Sequence, residues 1–291
     1  MDIRISKINA LIRLIEDPDP QVYDQVKNEL ILIGEPALYS LENASKNNDF
    51  GPEFKSRVFS VINKIHNNAL KNELIQWVKS EEKDLLLGSI IVSKHHDTDL
   101  EDSYVHETIQ TLRRAIWLEF NDYQTSFEQI KIFNRIFFGV SHFECLNKDS
   151  YSPDEIDISR VLESKKGAPF TIGLIYSIIA QSLDLPVYGV NLPNSFVLAF
   201  MDYNQSNFII NQQNDFGVLF YINPKAFGEI LDAREIGDFL TSRNLNPDRS
   251  HFEPCSNSSI IKRMIEDLML SFQYIGDEQR VSDLSELINA I

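Results

Sequence analysis

Cysteine is scarce in this sequence. The 291 residues include two cysteines, Cys145 and Cys255, which lie far apart and in unrelated contexts. A disulfide framework needs several cysteines in a short chain, and a structural zinc site needs about four Cys or His ligands close together. The sequence indicates neither, and no metal or other cofactor is expected. A chain without disulfides suits a reducing compartment, so we expect a cytoplasmic location.

Positive charge and long apolar runs are also in short supply. The chain carries 43 acidic residues against 27 basic ones, a formal net charge of −16. So acidic a surface repels phosphate backbones and anionic headgroups, and we expect neither nucleic-acid nor membrane-surface binding. No stretch approaches the roughly 20 apolar residues of a membrane helix, and the N-terminus lacks a signal-peptide pattern. The hydrophobic fraction of 43% is that of an ordinary globular protein.

The first part of the chain has helical periodicity interrupted by proline corners. Asp17-Pro18-Asp19-Pro20 and Gly34-Glu35-Pro36 each end one helix and open the next. This run of short helices resembles HEAT-type repeats, although no fixed repeat period is visible. A helical array of this kind suits protein binding, or it braces the next domain.

The middle of the chain changes from helices to strands. A helix is expected from Glu155 to Ser164, ending at Lys165-Lys166-Gly167. Pro169 then opens a helix that is apolar nearly all round, which predicts the central buried helix. Short β-branched and aromatic segments predict the strands Val187–Leu192, Phe196–Met201, Asn207–Ile210 and Val218–Ile222. The last segments, Ser259–Ile275 and Glu278–Ala290, predict a helical hairpin.

Two segments of the sequence resemble a known family. The first runs from Arg160 through Gly167-x-Pro169 and Leu185-Pro186-Val187 to Phe196, and the second is Leu219–Pro224. They are similar to the SirB-type branch of the transglutaminase-like family. The resemblance implies a mainly helical α+β fold with a small antiparallel sheet packed on a central helix. It also implies a HEAT-like array over residues 1–125, a transglutaminase-like core over 126–250, and a tetratricopeptide-like hairpin over 251–291.

Catalytic members of that fold carry a Cys at the start of the central helix, a His on one strand and an Asp on the next. The resemblance maps these positions onto Pro169, Ser195 and Asn223. Proline has no nucleophile, serine is a poor general base, and asparagine supplies no charge to an imidazolium. We therefore expect a pseudoenzyme without catalytic residues. Any surviving site is expected in the former cleft, which would be lined by Gly167, Pro169, Thr171, Asn194, Ser195 and Asn223.

Two other groupings invite a chemical interpretation. Cys145 follows His142 by three residues, which would share a face if the segment were helical, so a displaced nucleophile is the alternative to a pseudoenzyme. His95-His96-Asp97-x-Asp99 contains metal-binding residue types, but adjacent histidines have unfavourable spacing for one ion. A polar helix end followed by an N-cap aspartate is the simpler interpretation of that segment.

Three functions remain open from the sequence. The first is a non-catalytic transglutaminase-like protein that acts as an interaction or regulatory module with an unidentified protein partner. The second is a residual cysteine hydrolase or acyltransferase using Cys145 and His142. The third is a binder of a small ligand in the emptied cleft. A filled cleft with exposed apolar patches elsewhere would favour the first.

Overall fold

The computed structural model describes residues 3–47, 50–193, 195–202 and 216–291. The expected strand at Asn207–Ile210 and the expected cleft residue Asn194 lie outside these residues. The described helices are α1 (Ile3–Leu14), α2 (Pro20–Ile33), α3 (Leu38–Lys46), α4 (Pro52–Lys79), α5 (Leu85–His96), α6 (Asp102–Trp117), α7 (Ser126–Asn134), α8 (Pro153–Ile156), α9 (Ile158–Ser164), α10 (Pro169–Ser182), α11 (Ala233–Ser242), α12 (Asn257–Ile275) and α13 (Glu278–Ile288). The described strands are β1 (Glu144–Cys145), β2 (Lys166–Gly167), β3 (Val187–Leu192), β4 (Ser195–Met201), β5 (Val218–Asn223) and β6 (Glu229–Leu231).

The architecture is mainly helical α+β, as the sequence indicated. It divides into two compact units, Met1–Gln76 and Trp77–Asn289. The expected three-part division, with boundaries near residues 125 and 250, stays a prediction. None of the described helices is both long enough and apolar enough to cross a membrane.

The first unit consists of α1 to α3 and most of α4. The Asp19 carboxylate accepts a hydrogen bond from the Gln21 backbone N–H, and Pro20 takes the first position of α2, where its missing N–H costs nothing. The proline corner therefore begins a helix as predicted. The apolar faces of these helices meet in one core: Ile8, Ile12, Ile15, Val26, Leu30, Ala37, Leu41, Phe54, Val58, Val61, Ile62 and Ile65. Likeness to HEAT repeats stays a prediction.

The second unit is built around a four-stranded antiparallel sheet of order β3-β4-β5-β6. Helix α10 packs on β3 and β4, and all eleven residues from Phe170 to Ala180 are buried, which confirms it as the central helix. The opposite face of the sheet carries a second cluster, in which Val190, Val197 and Tyr221 pack with Ile236 and Leu240 of α11. Strands β1 and β2 form a separate parallel pair.

One edge of the main sheet is covered by the chain itself. The Cys255 backbone N–H donates to the Gly189 carbonyl of β3 at 2.8 Å, and the Cys255 sulfur accepts from the Asn191 backbone N–H. Two outward-facing polar groups of the edge strand are thereby satisfied within the molecule.

The helix expected from Glu155 to Ser164 is interrupted. Asp157 adopts an extended conformation and its carboxylate accepts the backbone N–H groups of Ser159 and Arg160, so it ends α8 and caps α9. Helix α9 ends at Lys165, which takes the left-handed conformation at φ 63° in place of the glycine that the sequence suggested. Gly167 lies in β2 instead.

The C-terminal segments form the expected helical hairpin. Gly276 ends α12 in the left-handed conformation at φ 82°, and the Asp277 carboxylate accepts the Arg280 backbone N–H at the start of α13. Gly276 and Asp277 therefore produce the tight turn between the two helices, as the sequence predicted.

Candidate functional site

The start of α10 is where the resemblance places the position of the catalytic Cys, and its residues have structural contacts. Pro169 occupies the first helical position, and Phe170 is buried directly after it. A Cβ atom added to Gly167 would lie 2.6 Å from the Val161 side chain, so this glycine permits the close approach of β2 and α9. Thr171 is fully buried, and its hydroxyl donates to the Ile156 carbonyl at 2.9 Å. Gly167 and Thr171 thus have packing roles, and Pro169 begins the helix.

Ser195 and Asn223 lie at the ends of neighbouring strands. Ser195 pairs with Leu192 across the β3–β4 turn, and Asn223 ends β5. The Asn223 side-chain oxygen accepts the Lys225 backbone N–H at 3.1 Å and caps the short 3₁₀ turn Pro224–Ala226. Among the described residues, no hydrogen bond joins the side chains of Ser195 and Asn223.

Strand alternation places these two side chains away from α10. Phe196 packs against α10, while Val197 and Tyr221 belong to the cluster on the α11 face. Because successive side chains of a strand point to opposite faces, Ser195 and Asn223 share the face of Val197 and Tyr221. A side chain at Ser195 would therefore have to cross the plane of the sheet to meet the start of α10.

The space between the start of α10 and the sheet is filled by aromatic rings and an arginine. The Phe196 ring lies between two glycines: a Cβ atom added to Gly173 of α10 would be 2.7 Å from it, and one added to Gly189 of β3 would be 2.5 Å from it. The Phe170 ring meets Phe196 edge to face, with centroids 5.0 Å apart. The Arg263 guanidinium lies 5.4 Å from the Phe196 ring centroid. We call Phe170, Phe196 and Arg263 the Phe196 cluster.

Arg263 of α12 fixes this cluster in place. One guanidinium nitrogen donates to the Asn191 side-chain oxygen at 2.8 Å and to the Ser195 carbonyl at 3.0 Å. The guanidinium also lies over the Phe170 ring, 5.0 Å from its centroid, in the geometry of a cation–π contact. This role could not be predicted from the sequence, because Arg263 follows Phe196 by more than sixty residues and an arginine on a helix is usually solvated.

The fit of the Phe196 ring predicts the effect of a single methyl group. Gly189→Ala is expected to lower the free energy of unfolding by about 2 kcal/mol, because the new methyl overlaps the ring and the Ile260 side chain. In a Phe196→Leu background, the cost of the same change is expected to fall to about half, since only Ile260 still obstructs it. Urea titrations of the four proteins measure this coupling. An equal cost in both backgrounds would contradict the packing described.

The loop that follows Asn223 is held by three contacts from the segment 134–145. The Asn134 side-chain nitrogen donates to the Gly228 carbonyl at 2.7 Å, and its oxygen accepts from the buried Tyr176 hydroxyl at 2.9 Å. The Phe227 ring meets Phe138 edge to face at 6.0 Å. The Cys145 thiol donates to the Pro224 carbonyl at 3.3 Å. The loop is therefore part of the rigid core of the unit.

The two cysteines lack the surroundings of a reactive thiol. Burial raises the pKa of the Cys145 thiol to about 12, outweighing the opposing effect of Lys225. The segment around His142 is not helical: His142 has φ 58°, and Cys145 lies in β1, so the shared helix face expected for the pair does not form. Burial also raises the pKa of the Cys255 thiol.

The paired histidines form the polar end of a helix. His95 is buried within the second unit, and burial, the Arg280 charge and His96 lower its pKa to about 3, against a smaller opposing effect of Asp277. The His96 ring nitrogen Nε2 lies 2.9 Å from the Asp154 carboxylate. The expected N-cap aspartate is wrong: Asp97 is the C-cap residue of α5 and forms an ion pair with Arg160, and the residue before α6 is Glu101. Within the described ranges, no three Cys, His, Asp or Glu side chains are grouped to hold a metal ion.

Comparison with known protein families decides the assignment. The model of the transglutaminase-like superfamily matches residues 103–266, which is more than half of the chain. The chain belongs to the transglutaminase-like superfamily. Within the superfamily it is of the SirB type, because the curated proteins to which it is similar include SirB1.

The similarity to individual transglutaminase-like relatives is modest. A UPF0162 protein of Haemophilus influenzae is 26% identical over 156 residues, which cover 51% of this chain and 55% of the relative. SirB1 of Salmonella typhimurium is 22% identical over 202 residues, 68% of each chain. The chain thus spans about half the length of the first relative and two thirds of the second. No solved structure matches the chain significantly.

Proposed function

We propose that this chain is a non-catalytic transglutaminase-like protein that acts by binding another protein in the cytoplasm. The observation that carries the proposal is the Phe196 cluster, which fills the space where a catalytic relative needs room for a substrate next to the start of the helix. Phe170, the residue after Pro169, packs against the Phe196 ring and lies under the Arg263 guanidinium, whose hydrogen bonds go to Asn191 and Ser195. Acyl-transfer chemistry needs positioned donors and open space beside the nucleophile, and the packing of the Phe196 cluster at the start of α10 supports the view that this space is lost.

Three further features support a binding role. The positions of the catalytic Cys, His and Asp hold Pro169, Ser195 and Asn223. Large apolar side chains are exposed away from the former cleft, among them Trp117, Leu118 and Tyr123 at the corner between α6 and α7. Exposed aromatic residues are frequent anchors of protein interfaces. In this proposal the HEAT-like helices and the tetratricopeptide-like hairpin supply further contact surface, and the net charge of −16 disfavours nucleic acid and anionic membranes as partners.

The alternative, a hydrolase that uses Cys145, makes an opposite prediction about thiol chemistry. Because burial raises the Cys145 pKa to about 12, its thiolate is scarce at pH 8, and we expect iodoacetamide to alkylate it at least about a hundredfold more slowly than in the unfolded chain. Mass spectrometry after timed alkylation between pH 6 and pH 10 reads Cys145 and Cys255 separately. The chain unfolded in guanidinium is the control, in which both cysteines should react as ordinary thiols with a pKa near about 8.5. Rapid alkylation of folded Cys145 below neutral pH would overturn the proposal.

A further inference from the structure

The guanidinium of Arg263 lies in surroundings that have the parts of a cation-binding site. The Phe170 and Phe196 rings meet edge to face, and the guanidinium lies 5.0 Å from the centroid of Phe170 and 5.4 Å from that of Phe196. Both distances are within the roughly 6 Å of a cation–π contact, which proteins also use to recognise cationic ligands. The Asn191 side-chain oxygen and the Ser195 carbonyl accept its hydrogen bonds. We call Phe170, Asn191, Ser195 and Phe196 the guanidinium cage.

A carboxylate adds a negative charge beside the guanidinium cage. Asp267 lies one turn after Arg263 on α12, with 3.6 Å between Arg263 Nε and Asp267 Oδ2. Burial raises the pKa of Asp267, and the Arg263 charge opposes that rise. A carboxylate drawn away from water favours a cation next to it, and loss of that cation is costly. Aromatic faces, acceptor oxygens and a carboxylate thus meet at one planar cation.

The walls of the guanidinium cage are fixed by contacts of their own. Phe170 is 3% exposed and Phe196 is 2% exposed, so both rings are packed within the unit. Phe196 pairs with Asn191 across β3 and β4, and the Asn191 backbone N–H donates to the Cys255 sulfur. Shortening the side chain of Arg263, which comes from another element, leaves this pairing in place. A preorganised site of this kind binds its ligand at a small ordering cost.

We propose that the guanidinium cage is a binding site for an alkylguanidinium group from outside the chain, and that Arg263 occupies it as an internal ligand. The Arg263 side chain is 19% exposed, so it reaches the surface and can swing into solvent while the buried face of α12 stays packed. A guanidinium is planar, stacks on aromatic rings and donates hydrogen bonds in fixed directions, whereas the ammonium of a lysine is a strongly hydrated point charge. The site therefore selects arginine-like groups over lysine-like ones.

Two sources carry this chemistry: an arginine side chain of another protein and a small alkylguanidinium compound. The net charge of −16 attracts cations of either kind. Arg263 is tethered beside the cage at a high effective concentration, so it competes with both and keeps their binding to the wild type weak. The inference is independent of the proposed function, because the cage takes the same ligand whether or not the protein acts through a protein partner.

Chemical rescue of Arg263→Ala tests the site. The substitution removes an N-ethylguanidinium group from the side chain, so N-ethylguanidinium chloride is the probe, with sodium chloride at equal ionic strength as the reference. The melting temperature of the full-length variant is expected to rise saturably with the probe, with a dissociation constant on the order of millimolar. Binding to the wild type is expected to be at least about tenfold weaker, because Arg263 fills the cage. If Arg263→Ala is unfolded alone, the probe is expected to restore its folded circular dichroism spectrum.

Two controls separate the guanidinium cage from general effects of the salt. Arg113→Ala removes a part-buried guanidinium that donates to the Ser182 carbonyl, and the probe is expected to leave its melting temperature unchanged. In Arg263→Ala, ethylammonium is expected to bind at least about fivefold more weakly than N-ethylguanidinium, and Phe170→Leu added to the same chain is expected to weaken N-ethylguanidinium by a similar factor.

Agmatine and the peptide acetyl-Gly-Arg-Gly-amide distinguish the two sources of the ligand. Stabilisation of Arg263→Ala by the peptide indicates a protein side chain, and stabilisation by agmatine without the peptide indicates a small compound. A melting temperature of Arg263→Ala that does not respond to N-ethylguanidinium, or an unfolded variant that it does not restore, overturns the proposal. An equal response in Arg113→Ala, or equal binding of ethylammonium, overturns it as well.

Discussion

Between pH 6.5 and about pH 3 the free energy of unfolding is expected to fall by on the order of 4 kcal/mol through His95 alone. The unfolded histidine titrates near 6.5, whereas the folded one titrates near 3. Between these values the unfolded state binds the proton and the folded state does not, so stability is present above pH 6.5 and is lost as the pH falls. Among the described residues, the buried ring nitrogen Nε2 has no hydrogen-bond partner that could stabilise the protonated ring.

Urea titrations of wild type and His95→Leu at a series of pH values isolate this contribution from that of the carboxylates. In wild type the free energy of unfolding falls in acid through both His95 and the carboxylates. In the variant only the fall caused by the carboxylates is expected to remain. Arg280 donates to the His95 carbonyl, a main-chain group, so that contact survives the substitution. His106→Leu removes an exposed histidine of α6 and is expected to keep the wild-type pH dependence. If the free energy of unfolding of His95→Leu falls with pH as steeply as that of the wild type, the buried neutral histidine is not the cause of the acid sensitivity.

Gly228→Ala is expected to lower the free energy of unfolding by about 3 kcal/mol. Gly228 has φ 79°, a conformation that strains any residue with a Cβ atom, and a Cβ atom there would overlap the Asn134 side chain. Displacing Asn134 leaves the Tyr176 hydroxyl and the Gly228 carbonyl without their hydrogen bonds in a buried setting. Strain and lost hydrogen bonds therefore act together.

Gly237→Ala in α11 is the matched control for this substitution. Nothing lies within 4 Å of a Cβ atom at Gly237, which is helical, so alanine there is expected to stabilise the chain by about 0.5–1 kcal/mol. Thermal and urea unfolding of both variants measure whether the free energy of unfolding falls in Gly228→Ala and rises in Gly237→Ala. A neutral effect of Gly228→Ala would mean that Asn134 does not bridge Tyr176 and the loop.

Local signals in the sequence predicted most of the elements. The apolar run after Pro169 predicted α10 because a helix buried on all sides has no polar face, and Gly276-Asp277 predicted the hairpin because the two residues favour opposite helix ends. The split at Asp157 was missed, since an aspartate inside a helical pattern is also compatible with a solvated face. The two-residue strands β1 and β2 were missed because a period cannot be read from two residues.

The Phe196 cluster could not be predicted from the sequence. Its parts come from α10, β3, β4 and α12, and only the fold brings Gly173, Gly189 and Arg263 to the same ring. The register of β4 decides whether Ser195 or Phe196 faces α10, and a shift by one residue would exchange them. The resemblance predicts which residues stand at the catalytic positions, whereas the direction of their side chains depends on strand pairing.

The contact of Cys255 with β3 has a consequence for the behaviour of the protein at high concentration. A strand edge with free N–H and C=O groups is a template on which a neighbouring molecule can add its own strand, and this is a common start of fibril growth. The Gly189 carbonyl and the Asn191 N–H are hydrogen-bonded to Cys255, so these two groups are not free to pair with a strand of another molecule. The short segment before α12 thus covers part of this edge, and its opening would expose both groups to a strand of another molecule.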